Sequence, residues 1–298
     1  MGIATEARGR VRGDGIRLGY GFWPGSGRPI VGIHGITASY LNFVGIAERL
    51  AGRRGLLALD LRGRGDADKP AGPYGMRQHA RDVAAAMTAF DLGGSILVGH
   101  SMGAYVAVAL AAEFPELVAG LVLIDGGPPL DPPPGIDVDD LLEALLSAQV
   151  GRLSQTFGSL EEYYQFWREL PTFRGGRWGP WVEAYLGYDL GGEAPRLQPK
   201  ASAAAVRADS LDAMDTAVLR RRLAGLAVPV LLLRAAEGMA PGQPPLMTDD
   251  VVDECAGLVS AFEHRVVPGT THYTIALGDP GASVVADAVV EFAESCGR

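Results

Sequence analysis

The stretch Gly99-His100-Ser101-Met102-Gly103 constrains this chain more than any other. A short apolar run, Ser95-Ile96-Leu97-Val98, precedes it, and Ala104-Tyr105-Val106-Ala107-Val108-Ala109-Leu110 follows. The pattern reads as strand, tight turn and helix, with a serine at the turn. Glycines two places before and after that serine let the backbone fold sharply enough to push its hydroxyl out of a sheet. The amide of Met102, opening the helix, then points to where an oxyanion would form. Ser101 is therefore a candidate nucleophile. A Gly-rich turn alone is an ordinary connection; the flanking strand and helix give this one its meaning.

Strands and helices alternate around this turn. Strands are predicted over Ile16 to Phe22, Pro29 to Ile33, Leu56 to Asp60, Ser95 to Val98 and Val118 to Ile124. Helices are predicted from Tyr40 to Ala51 and from Met76 to Phe90, the latter with Val83, Met87 and Phe90 on one face. Near-continuous apolar strands separated by helices indicate a parallel sheet covered on both sides. The pattern breaks after Asp125. Gly126-Gly127-Pro128-Pro129 and Pro132-Pro133-Pro134-Gly135 form a rigid, non-helical exit. From Asp137 to Ala213 the sequence has no long strand signal. It reads instead as helical and rich in large rings, among them Phe157, Tyr163, Trp167, Trp178, Trp181 and Tyr185. Alternation resumes with a strand at Val228 to Leu233, a helix from Asp249 to Phe262, a strand from His264 to Val267 and a last helix from Gly281 to Glu294.

Composition narrows the function classes. A chain of 298 residues that is 48% hydrophobic builds a full core. A net charge of −9 argues against a nucleic-acid partner and supplies no basic patch for anionic lipid. Cys255 and Cys296 lack metal-ligand spacing and give a disulfide little support. Met1 to Arg8 carries no apolar signal core, and no run is long enough to span a bilayer. The expected setting is a reducing cytoplasm, with no stable membrane insertion.

The chain resembles the α/β-hydrolase family. The resemblance rests on His34-Gly35, Asp60-Leu61-Arg62-Gly63-Arg64-Gly65, the Gly99–Gly103 turn and Thr271-His272 before the last helix. It implies a mostly parallel eight-stranded α/β sheet with helices on both faces. The core would comprise residues 1–126 and 214–298, with a helical cap inserted at 127–213. It also implies the base. Of five histidines, His272 lies in the loop after the last strand, at the same sheet edge as Ser101. His34 would order an oxyanion turn, His79 would lie on a helix surface, His100 points away within its own turn, and His264 opens a strand. The second oxyanion donor would be the amide of Ile36, beside that of Met102.

The acid is less plain. Most relatives carry it after the strand that here is Val230 to Leu233, in a turn like G-x-x-D. This chain has Ala235-Ala236-Glu237-Gly238 there, with glycine where the aspartate belongs. Some members carry the acid one strand earlier, which points to Asp125. Asp125 is preferred and Glu237 is the alternative; both keep the chain order nucleophile, acid, histidine. Asp60 and Arg62 are expected to shape a loop, and Asp66-Ala67-Asp68-Lys69 to form a solvated turn.

These residues predict a serine hydrolase that cleaves a hydrophobic carboxylic ester or lactone through an acyl-enzyme, with no metal or organic cofactor. Tyr105 and Trp181 are candidate substrate-binding residues. Two other readings stay open. One is a hydrolase of carbon–carbon bonds in β-diketone-like substrates, which uses the same triad. The other is a non-catalytic small-molecule binding protein on the same fold.

Overall fold

The structure, a computed structural model, describes residues 7–131, 135 and 151–296. The predicted Pro132-Pro133-Pro134 exit and the start of the helical stretch at Asp137 lie outside the described residues.

Eight strands form one sheet in the order β1-β2-β4-β3-β5-β6-β9-β10. They are β1 (Ala7–Arg12), β2 (Arg17–Trp23), β3 (Ile30–Ile33), β4 (Leu56–Leu59), β5 (Ser95–His100), β6 (Val118–Ile124), β9 (Val230–Ala235) and β10 (Phe262–Val267). The pairs β1–β2 and β2–β4 are antiparallel; every other pair is parallel. The central strands are mostly apolar because both their faces are covered. Their residues divide between two cores with period two. Ile30, Ile96, Val98, Leu231 and Leu233 face one side, against the helices Val44–Leu50 and Gly281–Cys296. Val31, Ile33, Leu97, Val230 and Leu232 face the other, against Met76–Ala89 and Met102–Glu113.

The order reverses between β3 and β5, because β4 lies on one side of β3 and β5 on the other. Loops leaving the carboxyl ends of two such strands diverge and open a crevice between them. The loop after β3 carries Gly35 and Ile36, and the turn after β5 carries Ser101. The helix Met102–Glu113 packs tightly over this switch. A methyl group added to Gly103 would lie 1.9 Å from the Ile33 carbonyl oxygen, and one added to Gly99 would lie 2.4 Å from the Gly103 oxygen. Both glycines are therefore required by close approach. The positive backbone angle falls on Ser101 itself, at φ 55°.

Several elements differ from expectation. β1 pairs through its backbone, and three of its six residues are exposed arginines (Arg8, Arg10 and Arg12), so it has no apolar alternation to betray it. The helix predicted from Tyr40 begins as a 3₁₀ turn, Tyr40–Phe43, before Val44–Leu50. Phe90 leaves the buried face of its helix and packs edge-on against Tyr20 at 5.1 Å. The helix predicted to reach Phe262 ends at Leu258, and Phe262 opens β10.

The insertion between β6 and β9 contains the helices Leu160–Arg168, Pro180–Asp189 and Ala203–Ala213, plus an unforeseen hairpin of β7 (Leu190–Glu193) and β8 (Arg196–Pro199). The hairpin is short, and glycine and proline erase the alternation that would announce it. The insertion has its own ring cluster, with Phe157 4.7 Å from Tyr163 and Trp167 5.6 Å from Phe173. A buried Arg152–Asp189 pair at 2.8 Å, shared with the Tyr163 hydroxyl, lies beneath it. Cys255 and Cys296 are free. No helix among the described residues is long and apolar enough to cross a membrane.

Gly103→Ala should lose more than about 3 kcal/mol of stability or fail to fold, because the methyl meets strand backbone. Gly257→Ala, in open space on a helix, should gain up to about 1 kcal/mol. Thermal unfolding of the two variants checks the contrast.

Candidate active site

Three loops at one edge of the sheet bring Ser101, His272 and Asp125 together. Ser101 follows β5, Asp125 follows β6, and His272 lies in the loop between β10 and the short helix Thr274–Leu277. His272 Nε2 is 3.0 Å from Ser101 Oγ, and His272 Nδ1 is 2.6 Å from Asp125 Oδ2. The carboxylate only accepts, so Nδ1 carries the proton and Nε2 is left to accept the serine hydroxyl. Asp125 is buried, and its other oxygen accepts from the Ala235 amide at 3.0 Å. β9 thus supports the acid through its backbone.

Glu237, the alternative acid, is placed elsewhere. Its carboxylate accepts from the Gly242 amide and makes no hydrogen bond to His272. Its segment holds the histidine loop by main chain instead. The Glu237 amide donates to Thr270 at 3.0 Å, and the His272 amide donates to Gly238 at 3.0 Å. His100 adds a third restraint: its Nε2 donates to the His272 carbonyl at 2.9 Å while Nδ1 faces Asn42 Nδ2 at 3.2 Å.

The loop after β3 presses against the serine. A methyl on Gly35 would lie 3.2 Å from Ser101 Cβ. His34 orders this loop from beneath. The Leu61 amide donates to His34 Nε2 at 3.0 Å, so Nδ1 holds the proton and donates to the Gly35 oxygen at 2.7 Å. The Gly35–Ile36 peptide is planar and trans, so its N–H faces away from the His34 ring. Met102 opens the helix after Ser101, where first-turn amides have no partner within the helix. Burial drives His34 and His100 down to about 3, so both rings are neutral near pH 7.

His79 is not a surface residue. It is fully buried, and its Nε2 lies 2.9 Å from Asp209 in the insertion. Asp60 is structural: it accepts from the Tyr40 and Asp66 amides, both at 2.9 Å, and from the Tyr188 hydroxyl at 2.6 Å. Burial raises its pKa. Arg62 forms a buried two-pronged pair with Asp82 at 2.6 and 2.8 Å. The Asp66–Lys69 turn is tied down: Asp66 pairs with Lys200, Asp68 with Arg10, and Lys69 donates to the Gly65 and Ala67 carbonyls.

A cavity of about 320 Å³ opens over Ser101. Ile36, Ala38, Tyr105, Leu130, Tyr185, Met239, Leu246, Met247 and Tyr273 give it apolar walls, with Thr37 and Asn42 as polar exceptions. No lysine or arginine lines it among the described residues. Tyr105 is in this wall, its hydroxyl donating to Pro128 at 3.2 Å. Trp181 is not. It lies against Gly45, donates to Glu48 at 2.8 Å and stacks under Arg49 at 5.2 Å, outside the cavity. Met239, Leu246, Met247 and Tyr273 were missed because they sit in loops with no periodicity. Among the described residues, no cluster of three His, Cys, Asp or Glu side chains is arranged to hold a metal.

The two neutral histidines set a pH dependence. Unfolding restores each to its ordinary value near 6.5, so the unfolded chain binds more protons between about 3 and 6.5. Their contribution is complete above pH 6.5 and falls by up to about 1.4 kcal/mol per pH unit per ring below it. Denaturant titrations from pH 7 to 5 should show His100→Asn with a shallower slope than the parent; an equal slope would mean that His100 is charged when folded.

Residues 28–163 match the alpha/beta hydrolase fold family. The chain is 36% identical over 139 residues to 2-(acetamidomethylene)succinate hydrolase of Mesorhizobium japonicum, covering 47% of this chain and 48% of that protein. It is 37% identical over 128 residues to N-formylmaleamate deformylase of Pseudomonas putida, covering 43% and 47%. The matched stretch thus spans about half the length of these relatives. A crystal structure of E-2-(acetamidomethylene)succinate hydrolase superposes with a TM-score of 0.78 at 27% identity, covering 97% of this chain and 99% of that one. The eight-stranded sheet, the sequence match over residues 28–163 and the likeness in structure over nearly all of the chain together show the alpha/beta hydrolase fold.

Proposed function

We propose that this hydrolase cleaves a neutral, hydrophobic carboxylic ester or lactone through an acyl-enzyme on Ser101. One observation carries the reading: the Ser101–His272–Asp125 relay opens into an apolar cavity without a cationic side chain. The stretches 132–134 and 136–150, outside the described residues, contain no lysine, arginine or histidine, so they add no cationic side chain wherever they lie. A succinate carries two carboxylates and a maleamate one, and desolvating either in such a cavity without a cation is unfavourable. The relatives' named substrates therefore fit this cavity poorly, although the hydrolytic residues suit the same chemistry.

The proposed steps are these. Ser101 Oγ attacks the carbonyl carbon as its proton passes to His272 Nε2, and Asp125 stabilises the imidazolium. The amides of Ile36 and Met102 hold the tetrahedral oxyanion. His272 returns the proton to the leaving alcohol. Water then attacks the acyl-enzyme, giving its proton to His272, and the acid leaves as Ser101 is restored. We take the insertion, which contributes Tyr185 to the cavity wall, as a cap over the substrate. The cavity is at the small end of ligand sites, which favours short acyl chains or a compact lactone.

Aryl esters of increasing acyl length, a matched succinate monoester and a β-diketone test this reading. Neutral short-chain esters should exceed the succinate ester in kcat/KM by at least about 100-fold, the equivalent of one unpaired buried charge. Faster turnover of the diketone, with little ester cleavage, would move the assignment to carbon–carbon hydrolysis. No fluorophosphonate adduct at Ser101 would favour a binding protein. Asp125→Asn should lower kcat by about 10⁴-fold, since the imidazole loses its tautomer. Glu237→Gln should stay within about threefold, because its carboxylate serves only a turn.

A further inference from the structure

The loop after β3 is held from two directions, and only one of them is His34. The second is Arg64, whose guanidinium is fully buried. Its Nε donates to the Ile36 carbonyl at 2.8 Å, and its Nη1 donates to the Arg62 carbonyl at 3.0 Å. Nη1 also pairs with Asp209, on the helix Ala203–Ala213 of the insertion. Asp209 is anchored in turn by His79 Nε2 at 2.9 Å and by the Gly75 amide at 2.6 Å.

Consider what this does to Ile36. The peptide before it is fixed through the Gly35 oxygen, which accepts from His34 Nδ1 and from the Ala38 amide at 3.2 Å. The peptide after it is fixed through its own oxygen, by Arg64. A residue has two soft torsions, and fixing both flanking peptide planes sets both. The direction of the Ile36 N–H is then no longer free. An oxyanion donor is effective only when it is already aimed as charge develops.

Stability alone does not account for this arrangement. A buried ion pair is often no better than apolar residues of the same volume. Arg64 Nη2 is also buried without a hydrogen-bond partner among the described residues, a further cost to the fold.

We propose that Arg64 is a positioning residue for the oxyanion hole: it aims the Ile36 amide and, through Asp209, ties that aim to the inserted segment. The inference rests on Ser101 acting as the nucleophile. It concerns the transition state, so its signature is a loss of kcat with KM nearly unchanged. Removing an oxyanion donor outright costs about 10²–10³ in rate, and a misaimed donor should cost about 10- to 100-fold.

The test compares Arg64→Met, Arg64→Lys and Asp209→Asn with Asp82→Asn, which weakens the buried Arg62 pair away from the Ile36 carbonyl. Four readouts are taken on folded protein: kcat, KM, the rate of fluorophosphonate labelling of Ser101, and affinity for a trifluoromethyl ketone, whose tetrahedral adduct needs the hole. Arg64→Met should lose 10- to 100-fold in kcat, with labelling rate and ketone affinity falling in step. Arg64→Lys keeps the charge but not the fork, so it should regain thermal stability without regaining kcat. Asp82→Asn should lose stability yet keep kcat within about threefold. If Arg64→Met fails to fold, Arg64→Lys and Asp209→Asn decide the question by the same readouts. Parental kcat and ketone affinity in folded Arg64 variants, or an equal loss in Asp82→Asn, would overturn the proposal. An unlabelled parent enzyme would instead overturn the assignment of Ser101 as nucleophile.

Discussion

The close approach of one helix to one strand underlies everything at the sheet's edge. The backbone of Gly103 lies so near the Ile33 carbonyl that no side chain fits between them. That contact places the helix after β5 directly over the end of β3. The loop leaving β3 then passes beside Ser101, so close that a methyl added to Gly35 would crowd the serine side chain. Gly126 repeats the device from β6, where an added methyl would meet the Ser101 carbonyl at 2.5 Å. Three strand ends are drawn together by the absence of side chains, and the reactive groups follow.

Charge is handled differently on the two sides of this contact. Around Ser101 the walls are apolar, and the neutral rings His34 and His100 serve as hydrogen-bonding struts. One layer further out, buried pairs join segments far apart in sequence: Arg62 with Asp82, Arg64 with Asp209, Arg152 with Asp189. The insertion meets the rest of the fold through an apolar cluster that Tyr163, Trp167 and Leu186 share with Tyr40, Phe43 and Ile275, and through polar joints such as Arg64 with Asp209, Tyr188 with Asp60 and Asp212 with the Met76 amide. Polar joints of this kind fix geometry more than they add stability.

The parallel core was readable because its strands are buried on both faces and its turns need glycine. The same physics made Ser101 and His272 readable: both stand at breaks between periodic elements. The acid was ambiguous because Asp125 and Glu237 both follow strands that end at the same edge. Only the fold shows that the carboxylate of Glu237 is bound by Gly242. His79 looked like a surface residue because helical periodicity cannot show that a distant insertion covers it with Asp209. β1 was invisible for the opposite reason, since backbone pairing carries it and its side chains carry no pattern. Trp181 stands outside the cavity because its ring packs into the space that the missing side chain of Gly45 leaves.

The histidine loop is clamped by backbone atoms from Glu237, Gly238 and by the ring of His100, none of which is a carboxylate. Imidazole placement is thereby uncoupled from acid placement. Asp125, at the end of β6, meets Nδ1 with one oxygen and accepts from an amide of β9 with the other. The imidazole would therefore keep its place even if its carboxylate partner were removed.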